Sequence, residues 1–211
     1  MASTTIDLDT ELSAVNSILG AIGQSPLTAL NLNANGVFDN PEVAIIYNLL
    51  RDANVDTQAE GWHFNTEKHV KFSINTDGKI AIGGDVLRMD TTDGWVDRTH
   101  DVVKRSGYLY DKYNHTDDFS DHTTIKLDIV KLIAFEDIPS VFQRYIIYKA
   151  SRMAATQLVA NAQLVQLLQL QEQQARATCQ EYECNQGNHN MFGLPEDSVY
   201  TAYEPWKNLR R

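Results

Sequence analysis

Cysteine, proline and long apolar runs are all scarce in this sequence. It has two cysteines and five prolines in 211 residues, and no apolar run approaches the roughly 20 residues that a membrane-spanning helix needs. Cys179 and Cys184 are five positions apart in a helical pattern, so their side chains point in different directions and we expect no disulfide between them. The start, MASTTIDLDTEL, lacks the basic residues and apolar core of a signal peptide. We therefore expect a soluble protein with no membrane partner, assembled in a reducing cytoplasm.

Basic residues are also few, and the acidic ones are unevenly distributed. The net charge of -10 and the pI near 4.9 argue against nucleic acid as the main partner. Residues 1–60 contain eight Asp or Glu and one base, Arg51, so this segment contributes -7 of the total. Residues 139–171 contain no Asp or Glu, and their only charged side chains are Arg144, Lys149 and Arg152. An acid-free segment in an acidic protein raises the question of what it contacts.

The first 61 residues predict two helices. One is expected to begin at Asp9 as N-cap, to run through TELSAVNSILGAI and to stop at Gly23. The other has Asn40 as cap and Pro41 at its first position, and Gly61 ends it.

The middle of the chain alternates apolar and polar residues by twos, which is typical of strands. The alternation runs through WHFNTEKHVKFSINTDGKIAIG, where NTDGK is a hairpin turn signal. Further strands are predicted at residues 86–89, 95–98, 107–110 and 124–133.

A helical pattern returns after Pro139 for about 45 residues, with a break near VANAQ, and no period follows Gly187. We predict an α+β fold, because helices on either side of the strands must bury their apolar faces, and their nearest partners are each other. Helices at 1–61 and 136–186 form a bundle, an antiparallel β module at 62–135 is inserted between them, and an extended C-terminal arm occupies 187–211.

The stretch NHTDDFSDHTT is the best candidate for chemistry. Its His115, Asp117, Asp118, Asp121 and His122 could gather a divalent metal. A solvated loop is the favoured interpretation, because no helical or strand spacing aligns the histidines with a carboxylate. No metal or cofactor is therefore expected.

Signatures of catalysis are missing elsewhere as well. The TDGK and GGD turns lack the spacing of a phosphate-binding loop, and no G-x-S-x-G elbow occurs. A hydrolase acting on cell-envelope polysaccharide would need two nearby carboxylates, for which Asp117 with Asp121 or Glu136 would be the choice. We expect a binding protein or a structural component of an assembly, and keep the hydrolase as the alternative. A DNA-binding packaging factor is disfavoured by the acidic balance.

Three stretches together resemble one family. TELSAVNSILGAIGQSPL, EGWHFNTE and IPSVFQRYIIYKASR occur in this order and at similar separations in the tail tubular protein A family, the adaptor of short-tailed, podovirus-type bacteriophages. The resemblance covers roughly residues 10–183. It implies a structural virion protein without a catalytic site, with a helical bundle and an attached β domain. It also implies a dodecameric ring that joins the portal protein to a tail nozzle of the tail tubular protein B type, with tail fibres as a further partner class. DNA would pass through the lumen without specific binding.

Two sets of residues are candidate contacts in such a ring. Arg144, Lys149 and Arg152 would meet the acid-rich N-terminal region of a neighbouring subunit; the alternative is three ordinary solvated bases. The C-terminal arm would dock on the portal through aromatic and basic side chains; the alternative is a tail packed on its own subunit. The docking residues of the arm are Phe192, Tyr200, Tyr203, Trp206, Lys207, Arg210 and Arg211.

Overall fold

A computed structural model of the chain describes residues 10–31, 38, 40–92, 100–122 and 124–186. The described residues fall into two compact units. The helical unit contains the residues up to Thr57 and Ile133–Glu183, and the β unit contains Gln58–Leu132 and, among the described residues, also 184–186. Helices and a small antiparallel sheet module confirm the predicted α+β class. Within these residues no helix is both long and apolar enough to cross a membrane.

The first helix, α1, spans Glu11–Ala21. Its N-cap is Thr10, whose hydroxyl accepts a hydrogen bond from the Ser13 amide at 3.3 Å, whereas the predicted cap, Asp9, lies outside the described residues. Gly23 follows the helix with φ +80°, as expected of a residue that ends one. The apolar stripe is buried at Ala14, Val15, Ile18 and Leu19, and α1 packs against α3 (Ser140–Ala154).

The second helix, α2, spans Pro41–Ala59 and has the predicted ends. The Asn40 side chain accepts a hydrogen bond from the Glu42 amide at 2.9 Å, and Gly61 follows with φ +80°. The Tyr47 hydroxyl donates to the Glu11 carboxylate at 2.9 Å, which joins α2 to α1. Burial and this hydrogen bond raise the pKa of Tyr47.

The long helical region after Pro139 is a hairpin of two helices. α3 ends in a turn of π-helix over Ala155–Val159, and Ala160 is left-handed with φ +52° before α4, Ala162–Gln186, begins. The predicted break near VANAQ is thus confirmed. Contacts between α3 and α4 run antiparallel: Phe142 with Tyr182, Tyr145 with Arg176, and Arg152 with Glu172.

The β unit contains two antiparallel sheets. The larger has the order β1-β5-β2 and the smaller pairs β3 with β4. Apolar residues from both sheets form one core, which includes Ile80, Leu109, Phe119, Leu127 and Ile129. The five strands are β1 (Thr66–Ser73), β2 (Val86–Thr91), β3 (Val102–Arg105), β4 (Tyr108–Asp111) and β5 (Thr124–Lys131).

The strand pairing differs from the sequence prediction at one hairpin. The NTDGK turn forms, and the Asn75 amide donates to the Lys79 carbonyl at 2.8 Å. The residues after it do not pair back onto β1, however, because the Leu109 amide bonds the Ile80 carbonyl at 2.9 Å. Pairing with β4 buries Ile80 in the same core as Leu109. The predicted strand at 95–98 lies outside the described residues, and β3 was not predicted.

The entry to the β unit also departs from prediction. Residues His63–Asn65 form a short 3-10 helix rather than the start of a strand. The buried Asn65 side chain donates to the Gln58 carbonyl at 2.9 Å and to the Lys131 carbonyl at 3.0 Å, and it accepts from the Trp62 amide at 2.8 Å. One amide group therefore ties the beginning of the β unit to its end.

Candidate functional site

The loop that carries the candidate metal ligands is organised by a buried carboxylate just before it. Asp111 is fully buried at the end of β4. One of its oxygens accepts from the backbone amide of Tyr113 at 2.8 Å, and the other accepts from the Asn114 side chain at 2.8 Å. The Asp101 amide, ahead of β3, also donates to it at 3.3 Å. This carboxylate therefore fixes both the turn after β4 and the approach to β3.

His100 is the remaining partner of Asp111. Its Nδ1 lies 2.6 Å from the carboxylate, and its ring stacks edge-on to His122 with centroids 5.0 Å apart. Burial alone would raise the pKa of Asp111, but hydrogen bonds from His100, Asn114 and the backbone outweigh it and hold the pKa at about 2. Asp111 is thus ionised at neutral pH, and its position within these bonds is that of a structural anchor.

The five residues weighed as candidate metal ligands have other partners or stay exposed. Asp117 pairs with Lys79 at 2.6 Å, and the side chain of Asp118 accepts from the Ser120 amide at 3.0 Å. His115 is exposed in the turn with φ +55°. Among the described residues, no group of three or more His, Cys, Asp or Glu side chains is placed to hold a metal ion. Asp121 and His122 are likewise exposed, and the arrangement is that of a turn-rich loop.

Asp117, the carboxylate common to both choices for a hydrolase, does not have the electrostatics of a general acid. A general acid in this chemistry needs a raised pKa. The hydrogen bond from Lys79 instead lowers the pKa of Asp117, and the hydrogen bonds from Ser120 lower the pKa of Asp118. Glu136 belongs to the helical unit, in the 3-10 turn Phe135–Asp137.

The three bases of the acid-free segment do not form one basic patch. Lys149 of α3 lies 3.5 Å from Asp56 on α2, and Arg152 bonds Glu172 on α4. The hydrogen bond from Glu172 raises the pKa of Arg152. Arg144 is exposed, and it has no ion pair with the described residues. Two of the three predicted interface residues therefore hold helices together within the chain, and Arg144 remains available.

A surface that the sequence analysis did not single out lies on α4. Leu167 and Leu170 are 61% and 63% exposed, which is unusual for large aliphatic side chains on a helix. The buried positions Leu168, Ala175 and Cys179 lie on the side that packs against α3. Two interleaved stripes at 3–4 spacing on one helix are the signal that could have identified this second face.

The residues assigned to the C-terminal arm lie outside the described residues. These are Phe192, Tyr200, Tyr203, Trp206, Lys207, Arg210 and Arg211. Of the two cysteines, Cys179 is buried and Cys184 is exposed, and both are free.

Comparison with known proteins identifies the family. The family model described as Tail tubular protein matches residues 12–189, a range that includes all five strands and almost all of the four helices. No curated protein matches the chain significantly. The match agrees with the resemblance carried by the three sequence stretches. The chain belongs to the tail tubular protein family, and it is a structural protein of a phage tail.

Proposed function

We propose that this protein is the adaptor ring of a short-tailed phage, joining the portal of the capsid to the tail nozzle. The single observation that carries the proposal is the family match, which runs through both the helical unit and the β unit. The ring is a dodecamer assembled in the host cytoplasm, and DNA crosses its lumen during ejection. A net charge of -10 suits a channel that must not retain phosphate backbones.

A closed ring needs two different surfaces that meet between neighbours. Arg144 is the exposed base of the acid-free segment, and residues 1–60 supply most of the negative charge of the chain. We assign Arg144 to the contact with the acid-rich N-terminal region of the next subunit. Such a pair sets the register and the rate of association more than it adds affinity. Lys149 and Arg152 support this contact indirectly, because they position α3 against α2 and α4.

The remaining contacts follow from the same proposal. The arm at 187–211 docks on the portal, and its aromatic and basic residue types are those that anchor interfaces. The nozzle protein, and tail fibres where present, bind other faces of the ring. The family is structural, which favours a role without catalysis.

To test the proposal, the purified full chain is mixed with the portal protein of the same phage, and native mass spectrometry measures the masses of the complexes that form. A portal complex that carries about twelve copies of the chain is expected. A chain that never binds the portal, or that binds as a single copy, would refute the adaptor role. Electron microscopy of tails labelled on this chain then checks its place between capsid and nozzle.

A further inference from the structure

We infer that the outward face of α4 is a contact surface for the helical unit of a second copy of this chain, and this inference rests on the proposed ring. The face consists of Gln163, Leu167, Leu170 and Gln174, which follow one another at spacings of four, three and four residues. We call it the Leu/Gln face. It lies on the side of α4 away from α3.

The Leu/Gln face is distinct from the face that holds α4 in the fold. Contacts with α3 come from Cys179, whose Sγ lies 3.6 Å from the Val141 carbonyl, and from Glu172, which bonds Arg152. Leu167 and Leu170 are not needed for this packing, since most of each side chain is in contact with solvent. Large apolar side chains grouped on one exposed helical stripe mark interaction sites more often than single exposed ones do.

The spacing of the face indicates that its occupant is a helix. Its two leucines are three residues apart and each has a glutamine four residues away, so the four side chains form one stripe at the spacing by which helices pack against each other. Two more exposed aliphatic side chains, Leu158 and Val159, precede α4 at the π-helical turn, with 37% and 40% of their surfaces accessible. Four of the seven exposed large hydrophobic side chains among the described residues therefore lie within residues 158–170.

The charges of the chain favour a second copy over a charged partner. Each copy carries a net charge of -10, so two copies repel each other. The repulsion is weakest where the contacting surfaces contain no carboxylate. Residues 153–171 contain no charged side chain and no histidine. The charges that flank them, Arg152 and Glu172, neutralise each other. Glutamine amides can both donate and accept hydrogen bonds, so the polar members of the face can pair with polar groups on a different surface of the neighbouring copy.

Photo-cross-linking identifies the occupant directly. A benzoylphenylalanine replaces Leu170 in the full chain, in cells that assemble the phage, and the matched control places the same probe at Gln169, the neighbouring exposed position on another side of α4. We expect an adduct of two copies of the chain from position 170 in purified tails, at about tenfold higher yield than from position 169.

A pair of charge variants tests the same contact without a probe. Gln163→Glu with Gln174→Glu places two carboxylates on the Leu/Gln face, while Gln169→Glu with Gln180→Glu adds the same charge elsewhere on α4. The first pair should lower the number of copies bound per portal at least about tenfold, because carboxylates buried in a contact without a cationic partner are strongly unfavourable. The second pair should bind as the wild type does.

The outcomes separate this inference from the proposed ring. The inference is overturned by an adduct with a different protein, by no adduct at position 170, or by equal binding of the two charge variants. If the ring still forms normally in these experiments, the proposed function stands. Tails that lack the chain altogether overturn the proposed function as well.

Discussion

The buried carboxylate of Asp111 allows the sharpest quantitative test of the β unit. The variant Asp111→Asn keeps the size of the side chain but removes the charge that His100, Asn114 and the backbone amides bind. The pKa of Asp111 is about 2, against an ordinary value of 3.8. A difference of nearly two in pKa, at about 1.4 kcal/mol for each tenfold change, predicts that the free energy of unfolding falls by roughly 2 kcal/mol at pH 7.

Urea unfolding followed by tryptophan fluorescence measures this loss. Trp62 is 7% exposed in the β unit, and the sequence segments that form the helical unit contain no tryptophan. With Trp95 and Trp206 replaced by Phe in every variant, the signal reports the surroundings of Trp62 in the unit that Asp111 anchors. The matched control is Asp117→Asn, which removes one carboxylate from the same loop. The side chains of Asp117 and Lys79 are 44% and 39% accessible, so solvent screens their pair and this variant should unfold nearly as the wild type does.

The pH dependence gives a second, independent check on Asp111. A depressed pKa in the folded state means that the stabilisation is present above the unfolded-state pKa of about 4 and is lost as the pH falls to about 2. The difference in unfolding free energy between the wild type and Asp111→Asn should therefore shrink between pH 5 and pH 2. A difference that stays constant over this window, or wild-type stability of the variant at pH 7, would refute the role assigned to this carboxylate.

Three further predictions concern assembly. Arg144→Glu should lower ring assembly on the portal without changing the melting temperature, since Arg144 is exposed and makes no ion pair with described residues; unchanged copy number in native mass spectra would contradict it. Deleting residues 187–211 should greatly weaken portal binding, measured by sedimentation, while full binding by the truncated chain would exclude the docking role of the arm. Replacing Asp117, Asp118 and His122 by Ala should leave tail assembly unaffected, and a polysaccharide-cleaving activity that disappears in this triple variant would favour the hydrolase instead.

The helices were predictable from the sequence because their ends are fixed by local chemistry. The Asn40 side chain caps the amide of Glu42, two residues away, and Gly61 ends α2 through its own left-handed backbone conformation. The bounds of α2 can therefore be predicted from the local sequence. The break around Ala160 was also visible, as a loss of helical period in VANAQ. Local hydrogen bonding and backbone sterics decide such features without reference to the rest of the fold.

The strand pairing and the site were less accessible because they depend on distant residues. β1 pairs with β5, about sixty residues later, and the residues after the NTDGK turn pair with β4 because that buries Ile80. The partners of Lys149 and Arg152 lie on other helices, so the sequence showed three bases and not that two were already paired. Asp111 gave no signal, since the groups that surround it follow no motif.

The hydrogen bonds of Asn65 bear on how this family can vary. The side-chain amide of Asn65 bonds to the carbonyls of both Gln58 and Lys131, so the two ends of the β unit are held next to each other. A segment whose two ends meet can be shortened, exchanged or removed by joining those ends with a brief loop. Relatives could therefore acquire different β units, and with them different tail partners, while the four helices keep their packing. Asn65 lies at the boundary where such an exchange would be made.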